Sequence, residues 1–261
     1  MAVRKATNTS SSGPGTQLVN LVITLILWTY FIFGFLFFFI LFYLLAYLFS
    51  KDRELAFQRL HHLFYRGFFI LVKAVIPRHS WQNDKDISKI RASVIICNHV
   101  SYLDPLIMIS LFERHKTIVK TRFFHVPIFG WFMKTAGYLP STTDEKFSYL
   151  MIKQVEQMKE YLRQGGNLII FPEGTRNNAG KIGPLNNGAL KIARLCQAPI
   201  KVLRIHNSDK LFAPGKFLFN TQTKNKIRVE FVDSINPDYQ GSMPSVSELE
   251  NLVQQSFATG N

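Results

Sequence analysis

With 261 residues, 47% of them hydrophobic and 24 of them Phe, the chain is long enough for one large core and too apolar for a disordered polypeptide. Lys and Arg outnumber Asp and Glu by 31 to 17, a formal charge of +14, which points to an anionic partner, either nucleic acid or a membrane surface. Two cysteines exclude a disulfide framework and a zinc site made only of thiolates.

Residues 1–17 are rich in Ser, Thr, Gly and Asn, carry only Arg4 and Lys5 as charged side chains, and read as a flexible tail. Leu18 to Ser50 contain no charged residue, which exceeds the ~20 apolar residues that a membrane helix needs. A straight helix of this length would extend ~50 Å, so it either tilts or folds back near Gly34 as a shallow hairpin. Lys51, Arg53, Arg59 and Arg66 follow it, and the positive-inside rule then places everything after residue 50 on the cytoplasmic face. Residues 51–91 read as a helical linker. Its stretch 57–76 mixes Phe, Leu and Ile with Arg59, His61, His62, Arg66 and Lys73, as expected of a helix lying in the interface or packed on the globular domain.

From residue 92 to 261 the pattern is that of an α/β domain. Apolar runs at 93–97, 167–171, 200–205 and 227–232 predict strands, and Asp144 to Gln164 repeats its apolar positions every three or four residues. Thr142 and Glu145 have capping-box spacing at the start of that helix, and Gly165 sits where it stops. Shorter helices are expected at 189–196 and 246–257. Strands alternating with helices favour a layered sheet flanked by helices.

Two clusters carry chemistry. Asn98-His99-Val-Ser-Tyr-Leu-Asp104-Pro105 follows the 93–97 strand, at the end of a strand where open α/β sheets place ligands. Pro105 suits the first turn of a helix, which makes Asp104 its N-cap. A carboxylate five residues after a histidine can also fold back onto Nδ1 and leave Nε2 as a base. Spacing alone favours the plainer reading, a cap and a polar turn residue. The second cluster is Phe171-Pro-Glu173-Gly174-Thr175-Arg176, where a bend exposes backbone N–H groups and a planar cation suited to phosphate. By itself it is equally an ordinary turn with a surface Glu–Arg pair. The remaining histidines lack metal-ligand spacing, and Cys97 reads as a small filler beneath the turn.

Taken together, these clusters resemble the blocks of the glycerolipid acyltransferases typified by 1-acyl-sn-glycerol-3-phosphate acyltransferase. The resemblance extends through Lys120-Thr-Arg122, Pro127-x-x-Gly130 and Gly137, then Gly180-Lys-Ile-Gly-Pro-Leu-Asn-Asn-Gly188, and covers roughly residues 55 to 235 in order. It implies a mixed α/β sheet wrapped by helices, preceded by membrane-associating helices. It implies His99 as general base, Asp104 as its orienter, and Glu173, Gly174, Thr175 and Arg176 as the acceptor-binding loop, with Lys120 and Arg122 adding positive charge. The implied reaction moves a fatty acyl group from coenzyme A or acyl carrier protein to the free hydroxyl of a lysolipid, without metal, bound cofactor or nucleic acid.

Two positions depart from the family pattern. Gly137 is followed by Tyr-Leu-Pro-Ser-Thr-Thr, where phosphatidate-forming members generally carry an Arg, and Asn186-Asn187 stands where a basic residue commonly precedes Gly188. Arg176, Lys120, Arg122 and Lys181 remain as donors. A phosphate-headed acceptor is expected first, with a zwitterionic or amino-acid-headed lysolipid as the competitor and an idle lipid-binding protein of the same fold as the non-enzymatic alternative. The aromatic cluster around Pro127, from Phe123 to Phe132, is either core or lipid-facing.

Overall fold

A computed structural model describes residues 13–141, 148–174, 176, 185 and 187–259. The uncharged run forms one continuous helix, Pro14–Phe49: α1 (Pro14–Thr29), a π-helical stretch (Tyr30–Phe39) and α2 (Ile40–Phe49). It starts inside the segment expected to be tail, because Pro14 supplies the fixed φ of a first helical turn. It does not fold back at Gly34, since the helix passes through that residue without interruption. A second helix, α3 (Arg53–Val75), is opened by Asp52, whose side chain accepts from the Leu55 N–H at 2.9 Å. The two helices pack along each other, with the Tyr30 hydroxyl donating to the Phe64 carbonyl at 2.8 Å and Phe31 against Phe68.

Polar residues on the first helix explain how it is held. Asn20 Oδ1 accepts from the Thr221 N–H at 3.0 Å, and the buried Thr24 Oγ1 accepts from the Phe219 N–H at 2.9 Å. Farther along, Tyr43 is buried against Phe57 and Phe132, and Tyr47 meets Trp131. The aromatic cluster therefore divides. Phe124, Phe132 and Met133 are core beneath the helix, while Val126, Ile128 and Phe129 remain exposed.

The sheet has seven strands in the order β1-β7-β6-β2-β5-β3-β4: β1 (His79–Asn83), β2 (Ser93–Cys97), β3 (His115–Lys120), β4 (Leu139–Ser141), β5 (Asn167–Ile170), β6 (Ile200–His206) and β7 (Asn225–Ile235). β6, β2, β5, β3 and β4 are parallel, β7 runs antiparallel to β6, and β1 is parallel to β7. The domain boundary expected at residue 92 is therefore corrected. β1 lies in the presumed linker, yet its backbone pairs with residues 225–229, so the sheet begins before the first strongly apolar strand. Its short, half-exposed sequence His-Ser-Trp-Gln-Asn carries no apolar alternation that would announce an edge strand.

Alternate residues of the central strands feed two cores, as the period of two requires. Ile95, Cys97, Ile169, Leu203 and Ile205 face α3, α4 (Asp104–Leu111) and the first helix. Val94, Ile96, Leu168, Ile170 and Val202 face α6 (Ser148–Arg163), α7 (Asn187–Cys196) and α9 (Val246–Thr259). The short α5 (Phe129–Thr135) and α8 (Ser208–Leu211) are the remaining α-helices among the described residues. Of the long helix expected from Asp144, the portion from Ser148 is present, while its capping box at Thr142 and Glu145 lies outside the described residues.

At the amino edge of the sheet a buried polar chain ties α3 to β3. Gly137 adopts φ +72°, which strains any other residue, and it packs against the Glu54 carboxylate and the Lys116 side chain. Glu54 pairs with buried Lys116 at 2.8 Å. His115 Nδ1 lies 2.7 Å from the Phe112 carbonyl, which can only accept. In the neutral ring His115 Nε2 then accepts from the Tyr138 hydroxyl at 2.7 Å, and that oxygen accepts from His61 Nδ1 at 3.2 Å. Burial favours the neutral form of both imidazoles and holds each pKa down at about 3 against the usual 6.5.

The unfolded chain takes up protons at these rings below pH 6.5, whereas the folded protein does not until about pH 3. Stability is thus lost as pH falls through that window, by about 2 kcal/mol per histidine at pH 5. Thermal denaturation at constant ionic strength should show Tm dropping from pH 7 to 5. A flat Tm across that range would show that the rings are not held neutral.

Candidate active site

The parallel strands β2, β5, β3 and β6 end at one edge of the sheet, in register through Ile96–Ile170, Thr117–Ile169 and Cys97–Leu203. The segments after them, at 98–104, 171–176, 120–122 and 207–208, therefore converge there from distant parts of the chain.

After β2 the chain turns tightly around the Asp104 carboxylate. Oδ2 accepts from the N–H groups of Val100 at 2.6 Å and Ser101 at 2.7 Å, and from His99 Nδ1 at 2.9 Å. Oδ1 accepts from the Ser208 hydroxyl at 2.5 Å. Asp104 is fully buried, while the His99 side chain keeps 16% of its surface exposed. This corrects the expected N-cap. Asp104 is already in the first turn of α4 and no side chain caps that helix, because the carboxylate is turned back into the preceding loop. An ionised carboxylate only accepts, so Nδ1 carries the proton and Nε2 is left with its lone pair. Nε2 has no hydrogen-bond partner among the described residues.

Neighbouring strands lock this turn. Asn98 bonds both backbone groups of Ile205, donating to the carbonyl at 2.9 Å and accepting from the N–H at 2.7 Å. The Ser101 hydroxyl donates to the Phe212 carbonyl at 2.7 Å. Cys97 is buried, and burial, reinforced by the Asp104 and Glu173 carboxylates, pushes its thiol pKa well up, so it fills space rather than attacks.

The bend after β5 closes over the same turn. Glu173 Oε1 accepts from the His99 N–H at 3.0 Å, and Phe171 lies against the imidazole with centroids 4.8 Å apart. Gly174 supplies the φ of +62° that the bend requires, its N–H returning to the Phe171 carbonyl at 3.2 Å. The Arg176 guanidinium carbon lies 3.6 Å from the centroid of the Tyr102 ring. Its Nη1 is buried and finds no partner among the described residues. Thr175 and Lys181 lie outside the described residues. Lys120 and Arg122 are exposed at the same edge, two strands or about 10 Å from β2, and no hydrogen bond or ion pair joins them to the His99–Asp104 pair among the described residues.

Sequence reasoning missed Ser208 and Tyr102. Ser208 is 104 residues from its partner Asp104, and its Ser-Asp-Lys context carries no motif. Replacing Ser208 with Ala removes a hydrogen bond to a buried charge, worth about 1.5–3 kcal/mol. The expected result is a lower Tm and a kcat reduced about tenfold or more, with KM for both substrates unchanged. Steady-state kinetics and thermal melts on the same preparation check it, and an unaltered kcat would remove Ser208 from the relay.

Fold and site define an α/β protein with a histidine–carboxylate pair and, at the same carboxyl edge of its sheet, a guanidinium whose Nη1 has no partner among the described residues. The Acyltransferase family model matches residues 78–205. A "probable 1-acyl-sn-glycerol-3-phosphate acyltransferase" of Mycoplasma pneumoniae is 30% identical over 216 residues, 78% of this chain and 79% of that protein. A 1-acyl-sn-glycerol-3-phosphate acyltransferase of Helicobacter pylori is 30% identical over 64% of this chain and 68% of its own length. A chloroplastic one from Brassica napus is 31% identical over 122 residues, and there the chain spans only 35% of the relative's length. The crystal structure of the 1-acyl-sn-glycerophosphate acyltransferase from Thermotoga maritima superposes with a TM-score of 0.67 over 94% of this chain and 95% of its own, at 20% identity, and shares the fold. The chain belongs to the acyltransferase family.

Proposed function

We propose that this chain transfers a fatty acyl group from a thioester of coenzyme A or acyl carrier protein to the free hydroxyl of a lysolipid, with 1-acyl-glycerol-3-phosphate as the acceptor and phosphatidate as the product. The observation that carries the reading is the 2.9 Å contact between His99 Nδ1 and the buried Asp104 carboxylate, which leaves Nε2 basic beside the 171–176 bend. The acceptor hydroxyl gives its proton to Nε2 as its oxygen attacks the thioester carbonyl carbon. The tetrahedral intermediate then collapses with cleavage of the carbon–sulfur bond, and the imidazolium returns the proton to the leaving sulfur. Asp104 stabilises the imidazolium between the two events. Arg176 binds the acceptor phosphate, with Lys120 and Arg122 adding positive potential at the same edge. Nothing in this scheme calls for a bound cofactor.

The missing cation at 138–141 favours a second reading, a lysolipid with a different head group. Tyr138 occupies that region but is committed to the buried histidine chain. Membranes containing the chain, offered a panel of lysolipids and labelled acyl donors, decide between the two by lipid mass analysis. Lysophosphatidate should be converted fastest, and conversion of another lysolipid in its place would overturn the assignment.

The partner surface is a bilayer. Exposed apolar side chains run along the first helix from Leu18 to Phe49, with Phe37 and Phe49 more than two-thirds exposed. The helix touches the globular domain from Asn20 at one end to Tyr47 at the other, about 40 Å of its length. Standing upright across ~30 Å of hydrocarbon, it would draw polar parts of the domain into lipid. Exposed Arg59, Leu63, Arg66, Ile70 and Lys73 form an outward row on α3 in which cations alternate with apolar residues. Both features favour a helix pair lying in the interface, and the formal charge of +14 favours the anionic cytoplasmic leaflet as the side it lies on.

A further inference from the structure

We infer that Tyr102 is a positioning residue for acceptor binding, a platform that holds the Arg176 guanidinium flat and directs its free N–H edge toward the acceptor's anionic head. The inference rests on the phosphate-bearing acceptor proposed above. Arg176 comes from the bend after β5, a segment that shows no backbone pairing to the turn carrying Tyr102 among the described residues. Yet its guanidinium carbon sits 3.6 Å from the ring centroid, the distance of a stacked cation. Stacking leaves the N–H groups in the plane of the guanidinium, where they cannot bond to the ring beneath them. Buried Nη1 is left without a partner among the described residues, a donor arranged for an acceptor atom that binding supplies.

Tyr102 itself is fixed by the catalytic turn. Its neighbours Ser101 and Leu103 are buried, Ser101 N–H bonds Asp104, and the Ser101 hydroxyl holds the Phe212 carbonyl. The ring lies at a tilt against Phe212 with centroids 5.9 Å apart. The same carboxylate that orients His99 therefore sets the position of the platform, so base and anion site keep a constant separation. Tyr102 also lines an apolar cavity of about 110 Å³ with Leu27, Trp28, Phe31, Phe68 and Leu106. It thus stands between a cationic group and an apolar space, as a residue reading the junction of an anionic head and a hydrocarbon chain must.

The test uses the full chain in lipid–detergent micelles, with lysophosphatidate and monoacylglycerol as alternative acceptors. Tyr102 is nearly half exposed, so Tyr102→Leu should fold, which a thermal melt verifies. Its KM for lysophosphatidate should rise about 5- to 30-fold, while kcat, the donor KM and the KM for phosphate-free monoacylglycerol stay within about twofold. Tyr102→Phe, which keeps the ring, should restore the lysophosphatidate KM. A Leu variant with unchanged KM, or one losing kcat and affinity for both acceptors equally, overturns the platform. Wild-type protein that does not acylate lysophosphatidate at all overturns instead the acceptor assignment on which it rests.

Discussion

His99→Ala should lower kcat/KM for acyl transfer by about 10²–10⁴-fold, with the fold and membrane association preserved and Tm lowered only by the loss of one hydrogen bond to Asp104. The reason lies in what surrounds the ring. Its Nδ1 is committed to Asp104, its Nε2 has no hydrogen-bond partner among the described residues, and the nearby Glu173 carboxylate already accepts from the His99 backbone N–H. Alanine keeps that N–H and leaves Asp104 its Val100, Ser101 and Ser208 donors, so the turn persists while the group that takes the proton is gone. Transfer assays with a labelled thioester, paired with a flotation assay on vesicles, separate chemistry from anchoring. Retained turnover in a folded variant would show that His99 is not the base.

Asp104 has the second large effect, and two substitutions should divide it. Asp104→Ala strips acceptors from the N–H groups of Val100 and Ser101 as well as from His99 and Ser208. Each buried N–H left unpaired costs about 1–3 kcal/mol, so several kcal/mol of stability should go together with activity. Asp104→Asn keeps the shape and one acceptor oxygen and should melt much closer to wild type. Its amide oxygen, held at the Oδ2 position by the Val100 and Ser101 N–H groups, still accepts from Nδ1 but carries no charge to stabilise the imidazolium, so activity should fall by about 10²-fold or more. Thermal melts and kcat measured side by side test this. An active Asp104→Asn would mean that the carboxylate only builds the turn.

Legibility in the sequence followed the range of the interactions. The central strands at 93–97 and 200–206 and the helices at 187–196 and 246–259 were readable because each is specified by its own apolar pattern. β1 was not, because a polar edge strand is selected by its pairing with β7, some 146 residues away. The spacing of His99 and Asp104 left a relay and a helix cap open, and resemblance to known blocks supplied the preference. The cap failed for a geometric reason. The Asp104 carboxylate meets four donors when turned back into the loop, more than one helix end would offer it.

The first helix shows the same division. Its lack of charge predicted lipid contact from composition alone, yet whether it bends or runs straight depended on where Asn20, Thr24, Tyr30 and Tyr43 find partners on the domain.

Sequence by itself thus determined the apolar helix and the alternating layers, which follow from local periodicity, and it named the residues of the site through their resemblance to known blocks. Tertiary structure alone decided the proton's place on His99, the recruitment of Ser208 and the seating of Arg176 on Tyr102. Those depend on strand ends brought within hydrogen-bonding reach by the parallel sheet, a proximity that separations of 70 to 100 residues along the chain do not encode.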